Sequence, residues 1–164
     1  MRFLCLIAVM AAPLAAQQTV RVGVYDTRAI AVAYTHSTQM QTPLRAKMKE
    51  MEAAKAAGDK AKVKELDEWG QARQRQLHRQ GFGRVPVSDL LACVKGRLPE
   101  VAARAGVQVI AADTDYVAPG VETVDITNEL VQLYDPSPRV LAIVKDMKGK
   151  PPLDLDEIEK IHKR

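Results

Sequence analysis

The sequence predicts an α+β protein, helix-rich overall, in which a small β-sheet body carries a projecting α-helical hairpin or arm. Short apolar runs typical of strands occur near residue 20 and between residues 107 and 124, and the long section between them shows helical apolar spacing. A chain of 164 residues can build only one modest core, and an aromatic content of 4% is a small supply for a ring-lined pocket. We therefore expect an extended or helical design rather than a deep-cleft enzyme.

Residues 1–16 have the pattern of a cleaved secretory signal peptide. Met1 and Arg2 precede an apolar run over residues 3–12, and small residues follow Pro13 up to Ala16. The run is about half of the roughly 20 residues that a membrane-spanning helix requires, so no transmembrane anchor is expected. Because the chain is predicted to be exported, nucleic acid is not an expected partner.

Cleavage of this leader leaves Cys93 as the only cysteine, so no intrachain disulfide is expected. Its position beside Leu91 and Val94 in an apolar helical pattern predicts a buried thiol that packs as a small hydrophobe. The alternatives are a reactive thiol and an intermolecular link.

The first elements after the leader are a strand and a helix. Val20, Val22 and Val24 alternate with other residue types, which predicts a half-buried strand. Asp26 and Thr27 then provide N-cap oxygens for a helix over residues 28–34.

The next section predicts the arm. Apolar residues recur in steps of four, four and three from Met40, which indicates one face of a helix that begins near Thr42 or is kinked at Pro43. Gly58 and Asp59 interrupt this pattern. They predict either an antiparallel hairpin of two helices or one bent helix. The apolar residues of the second helical part are Val63, Leu66, Trp69 and Leu77.

The second half of the chain returns to the body. Gly81, Gly83 and Pro86 end the helical pattern. The elements predicted after them are a helix over 88–105 divided at Pro99, a buried strand over 107–112, a hairpin pairing 116–117 with 121–124, a helix over 126–134, and a peripheral helical tail over 136–164.

The positive charge of the chain is concentrated in the arm. The formal net charge is +4, and residues 45–79 hold ten Lys and Arg against six Asp and Glu, while the remainder holds fourteen of each. The excess is therefore a property of the predicted arm.

Three blocks carry a family resemblance. They are the strand over residues 20–26, the strand over 107–113, and the block over 121–131, in which Asp125, Ile126 and Thr127 precede an apolar helix. In these blocks the chain resembles the Skp/OmpH-like periplasmic chaperones of outer-membrane proteins, as a divergent member with a shortened arm.

The resemblance implies a periplasmic homotrimer that binds non-native outer-membrane proteins without a cofactor. It places a domain over residues 17–135, with a trimerising body at 19–35 and 100–135 and an arm at 38–98. The residues implied for the sheet core or oligomer contact are Val20, Val22, Val24, Val107, Val109, Ile126 and Leu130.

Methionines beside cations on the arm offer flexible apolar contacts within a positive field. The residues predicted to bind the client are Met40, Arg45, Lys47, Met48, Lys49, Met51, Lys60, Lys62, Lys64, Arg73 and Arg75. Anionic lipid or lipopolysaccharide is a second class of partner for this surface. The competing interpretation is that these side chains pack the hairpin seam and solvate its outside.

Two alternative functions remain at this point. One is an envelope-associated structural or interaction module that binds an anionic surface or a fixed partner. The other is a small hydrolase that uses Asp113 and Asp115, although such residues also suit a turn. No catalytic or metal-ligating residues are assigned, because the histidines lack the spacing of a local zinc site and no phosphate-binding loop occurs.

Overall fold

The computed structural model describes residues 19–162, so the predicted signal peptide lies outside the described residues. The strands are β1 (Val20–Val24), β2 (Val109–Ala111) and β3 (Val121–Asp125). The helices are α1 (Thr27–Thr35), α2 (Thr38–Ala56), α3 (Lys60–Phe82), α4 (Ser88–Leu91), α5 (Leu98–Ala105), α6 (Thr127–Val131), α7 (Pro138–Met147) and α8 (Leu155–His162), with 3-10 segments at Ala92–Arg97 and Gln132–Tyr134. The helix-rich α+β class is confirmed. Within the described range, no helix has the length and apolar character needed to cross a bilayer.

The three strands form one parallel sheet with the order β2-β1-β3. The predicted hairpin of residues 116–117 with 121–124 is wrong, because β3 pairs with β1 and not with the segment before it. The connection over residues 112–120 can reach at most about 30 Å when fully extended, which is enough to cross from one sheet edge to the other.

The valines of β1 lie outside the core of the subunit, so the sheet-core alternative implied for Val20, Val22 and Val24 is wrong. Gly23 is buried on the core side, where an added Cβ would lie 2.6 Å from Ile126 Cδ1. The alternating valines therefore lie on the opposite face, with Val20 47% exposed. The cause is the close approach of Ile126, which leaves room for only a glycine on the core side. Val109 is in register with Val22 and is 48% exposed, so it also lies outside the core.

The core is built around α1. Ala29, Ile30, Ala31 and Ala33 are buried and contact residues from most other helices. Val107, Ile126 and Leu130 are buried as predicted. The Tyr134 hydroxyl donates a hydrogen bond of 3.0 Å to the Leu90 carbonyl, which satisfies a polar group inside this core.

The arm is an antiparallel hairpin of α2 and α3, and not one bent helix. α2 begins at Thr38 and continues through Pro43, so the helix starts earlier than Thr42. Gly58 turns the chain with a φ of 70°, and Asp59 Oδ1 accepts a hydrogen bond of 2.9 Å from Lys62 N as the N-cap of α3.

Two segments lie deeper in the body than expected. Leu90 and Val94, which fall inside the predicted arm segment 38–98, belong to the buried core. Val140 and Val144 of α7 also join the core, so the tail is not peripheral. Cys93 is exposed instead of buried, since the 3-10 segment places Val94 inward and the thiol outward.

Candidate functional site

The arm carries an apolar groove along the seam between α2 and α3. Its volume is about 610 Å³. The two helices pack on each other through small and apolar residues on one side of the seam. On the other side the space between them stays open and forms the groove. The apolar residues lining it are Met40, Leu44, Met48, Met51, Leu66, Trp69 and Leu77.

The groove has a buried floor and an exposed edge. Met40, Leu66 and Leu77 are 9%, 3% and 8% exposed, so they fix the two helices together. Met48 and Trp69 remain 56% and 38% exposed, which places a flexible thioether and an aromatic ring at the opening. Such an edge offers adaptable apolar contact to a chain of variable sequence.

Most cations of the arm fall into two groups. Lys47, Lys62 and Lys64 form ion pairs along their own helices, with Glu50 at 2.8 Å, Glu65 at 2.8 Å and Glu68 at 3.8 Å respectively. The hydrogen bond from Lys47 lowers the pKa of Glu50, and the hydrogen bond to Glu65 raises the pKa of Lys62. Their local fields are partly neutralised.

A second group of arm cations has no ion pair within residues 19–162. These residues are exposed, and they supply the positive field predicted for the arm. They are Arg45, Lys49, Lys55, Lys60, Arg75 and Arg79.

The structure brings only part of the predicted client-binding set to one site. Met40, Lys47, Met48, Met51 and Arg73 line the groove. Six members of the set lie elsewhere on the arm surface, namely Arg45, Lys49, Lys60, Lys62, Lys64 and Arg75.

Arg73 is a structural residue at the body end of the groove. Its Nη2 donates a hydrogen bond of 3.0 Å to the Tyr34 hydroxyl, and its Nη1 lies 3.4 Å from Asp89 Oδ2. Gln76 and Gln80 donate to the same carboxylate at 3.0 and 2.7 Å. These contacts join α3 to α1 and α4, so Arg73 is less free to bind a client than its charge suggested.

Trp69 is the residue of the groove that was missing from the predicted client-binding set. It was recognised only as an apolar position of the second helix. The sequence does contain one signal for a binding role of this residue. It is the single tryptophan of the chain, and it lies on a helix rich in charged residues.

The tip of the hairpin contains a smaller charged cleft of about 560 Å³. Met51, Ala54 and Val63 provide its apolar surface. Lys55, Lys60 and Lys64 surround this surface, so the tip combines positive charge with apolar contact.

Acidic residues gather at the carboxyl end of the sheet, where the hydrolase alternative would place its chemistry. Asp113 contacts Arg84 Nη1 at 2.6 Å and accepts a hydrogen bond of 2.9 Å from Thr114 N, so both of its carboxylate oxygens are engaged by neighbouring groups. Asp115 is exposed. No group of three or more His, Cys, Asp or Glu side chains in residues 19–162 is placed to hold a metal ion.

The carboxylates of this region are held by cations. Burial raises the pKa of Asp26, but hydrogen bonds from the Arg28 side chain and backbone outweigh burial and lower it. The Arg28 side chain is itself nearly buried and contacts Asp26 Oδ2 at 2.6 Å. Asp125 follows the same pattern, since hydrogen bonds from Thr127 and Lys148 outweigh burial and lower its pKa.

The outer face of the sheet is a second apolar surface. We define it by the side chains opposite Gly23, using the register of the three strands. Its residues are Val20, Val22, Val24, Val109, Ala111, Val121 and Thr123, and Asp125, which is opposite Val24, lies at its carboxyl end and pairs with Lys148. β2 and β3 each have a partner strand on one side only, so both sheet edges are open.

No protein-family model matches the chain, and no characterised protein or solved structure is significantly similar to it. Function is therefore inferred from the geometry of this chain and from its sequence blocks.

Proposed function

We propose that the protein is a periplasmic chaperone-like protein that binds unfolded outer-membrane proteins without a cofactor. The observation that carries this proposal is the groove of the arm, with Met48 and Trp69 exposed at its edge above a buried apolar floor. An extended polypeptide can place apolar side chains in this groove, while the surrounding exposed cations attract acidic segments. The predicted leader supports export to the periplasm.

The outer face of the sheet supports assembly into an oligomer. Parallel sheets are normally covered on both faces, and a sheet of only three strands has little stability by itself. Val20 and Val109 are instead 47% and 48% exposed, beside two open edges. Other copies of the chain would cover this face and bring several arms together. The number three is taken from the family resemblance.

Client binding is tested by suppression of aggregation of an unfolded outer-membrane protein. Trp69 fluorescence, recorded while a tryptophan-free unfolded client is added, reports occupation of the groove in the same samples. We expect suppression with a spectral shift, and a loss of both in Met48→Ser. Tyr116→Ser is the matched control, since it removes an exposed apolar side chain, 77% exposed, away from the groove. No suppression by an excess of protein would refute the proposal.

Assembly is tested by sedimentation equilibrium. We expect the protein to sediment as a trimer and Val109→Lys to dissociate it, because a lysine on the outer face would have to be buried without a partner. Tyr116→Lys should leave the mass unchanged. A wild-type protein that stays monomeric would carry a single arm and would contradict the assembly.

The tip cleft favours a second candidate function, an envelope-associated module that binds an anionic surface. Three lysines around an apolar patch suit anionic lipid or lipopolysaccharide. Co-sedimentation with vesicles containing anionic lipid, compared with neutral vesicles and with unfolded client, separates the two functions. Binding to anionic vesicles with no client binding would favour the second, and Lys60→Gln should then weaken it.

A further inference from the structure

The last described segment forms a strap across the body end of the arm. We define the strap as residues 148–160. It leaves α7 at Lys148, turns at Gly149 with a φ of 80°, and runs through Pro151 and Pro152 into α8. α7 itself is fixed in the body core. The strap therefore links the core to another part of the molecule.

That other part is the last turn of α3. Leu153 N donates a hydrogen bond of 2.9 Å to the Phe82 carbonyl. This carbonyl is one of the last four of α3, which have no partner inside the helix. The strap thus caps the helix by which the arm returns to the body.

Side-chain packing fixes α8 to the same place. Ile158 is 1% exposed, and α8 packs mainly on α3. A Cβ added to Gly83 would lie 3.0 Å from the Arg79 carbonyl oxygen of α3, 3.2 Å from Ile158 Cδ1 and 3.3 Å from Leu155 Cδ2. α8 therefore lies directly on Gly83, in a space that any larger side chain would occupy.

The strap is held more weakly than the core. Ile158 is its one buried apolar side chain within the described part of the strap, whereas Phe82, Leu153 and Leu155 stay 47%, 40% and 41% exposed around it. No ion pair joins the acidic residues of α8 to α3 within the described side chains. The buried Ile158, the partly exposed Leu155 and one backbone hydrogen bond join the strap to α3, and these contacts can be released without opening the cluster that contains α7.

We infer that the strap is a latch that holds the body end of α3 and so fixes the arm for client binding. Closed, it keeps the last turn of α3 ordered, and the groove beside it is preorganised. Opened about Gly149, it allows that turn to unfold locally while the body remains folded. The consequence for affinity rests on the proposed function, since a preorganised groove binds a client more tightly.

Hydrogen exchange tests the latch directly. In Ile158→Ser, the amides of residues 79–83 should exchange at least about tenfold faster than in the wild type, while those of α1 keep their rates. Asp156→Ser on the same helix is the matched control, because Asp156 is exposed.

A second pair of variants approaches the latch from α3. Gly83→Leu occupies the space of Ile158 and should give the same local acceleration. Gly81→Leu should not, because nothing lies within 4 Å of a Cβ at that position. Because a side chain at Gly83 also crowds the Arg79 carbonyl of α3, Ile158→Ser decides the test, and unchanged exchange at residues 79–83 in that variant would overturn the latch. Equal acceleration in α1 would also overturn it, because the strap would then be an integral part of the core.

Client affinity is measured in the same variants. We expect a loss of about three- to tenfold in Ile158→Ser and Gly83→Leu, and none in the two controls. Faster exchange without a change in affinity would overturn the link between the latch and the groove. If the wild type binds no client, the proposed function fails, while the exchange measurement still decides whether the latch exists.

Discussion

The guanidinium carbon of Arg73 lies 5.4 Å from the ring centroid of Tyr34, and its Nη2 donates a hydrogen bond of 3.0 Å to the hydroxyl of that ring. The Tyr34 ring in turn packs edge-to-face on Tyr134, with 6.1 Å between ring centroids. A residue of the arm is thereby connected to the centre of the body core. The position of the groove depends on this connection.

Replacing Arg73 should therefore destabilise the fold. Arg73→Ala removes the cation–π contact and three hydrogen bonds from a half-buried site, at a cost of about 1–2 kcal/mol in the free energy of unfolding. Arg75→Ala, two positions along the same helix and exposed, should change that free energy by less than about 0.5 kcal/mol. Urea unfolding measures both, and equal effects would show that the contact with Tyr34 contributes nothing.

Gly23 should be intolerant of any side chain. Gly23→Ala places a Cβ 2.6 Å from Ile126 Cδ1 inside the core, so Ile126 or the sheet must shift. We expect the free energy of unfolding, measured by thermal or urea unfolding, to fall by about 1–3 kcal/mol.

Gly70→Ala is the matched control for this substitution. Gly70 lies inside α3, and nothing lies within 4 Å of a Cβ added there. The free energy of unfolding of the variant should therefore rise by about 0.5–1 kcal/mol through helix propensity. A stable Gly23→Ala variant would contradict the close packing of β1 on Ile126.

Local signals in the sequence predicted the helices well. Asp26 is the N-cap of α1, and Gly106 ends α5 with a φ of 63°, as the cap residues indicated. The face of β1 could not be read in this way, because alternation marks two faces without saying which is covered. That choice is made by Ile126, about a hundred residues further along the chain.

The candidate site was predictable to a similar extent. Spacing identified Met48 and Met51 as one helix face, and both line the groove. The rotation of α3 about its axis decides that Trp69 lies at the edge and Arg73 against Tyr34. This rotation is fixed by packing on α1, a contact between distant segments that no local pattern encodes.

Stability should fall at acid pH through Asp26. The pKa of this carboxyl is held below its ordinary value of about 4 because the bonds from Arg28 outweigh burial. A depressed pKa contributes stability above the ordinary value, and this contribution is lost as the pH falls through the folded-state pKa.

Asp26→Asn isolates this contribution, since asparagine can still cap α1 but carries no charge. The variant should be less stable than the wild type at pH 7, and the difference should shrink progressively below about pH 4. Asp115→Asn, which changes an exposed carboxylate, should match the wild type throughout. A difference for Asp26→Asn that stays constant from pH 7 to pH 2 would contradict the role of the ion pair.

The floor and the edge of the groove should respond differently to truncation. Leu66 is 3% exposed between the two helices, so Leu66→Ala should lower the free energy of unfolding by about 2–4 kcal/mol through the lost contacts and the cavity. Met48 is 56% exposed, so Met48→Ala should cost less than about 1 kcal/mol.

Client affinity should show the reverse order when it is measured under conditions where both variants are folded. Met48→Ala removes a side chain that faces the opening and should weaken binding, whereas folded Leu66→Ala keeps the whole edge. The two residues belong to one seam, so a purely structural role for the groove predicts that affinity follows stability in both variants. A weaker client complex in Met48→Ala with nearly unchanged stability is the result that only a binding edge produces.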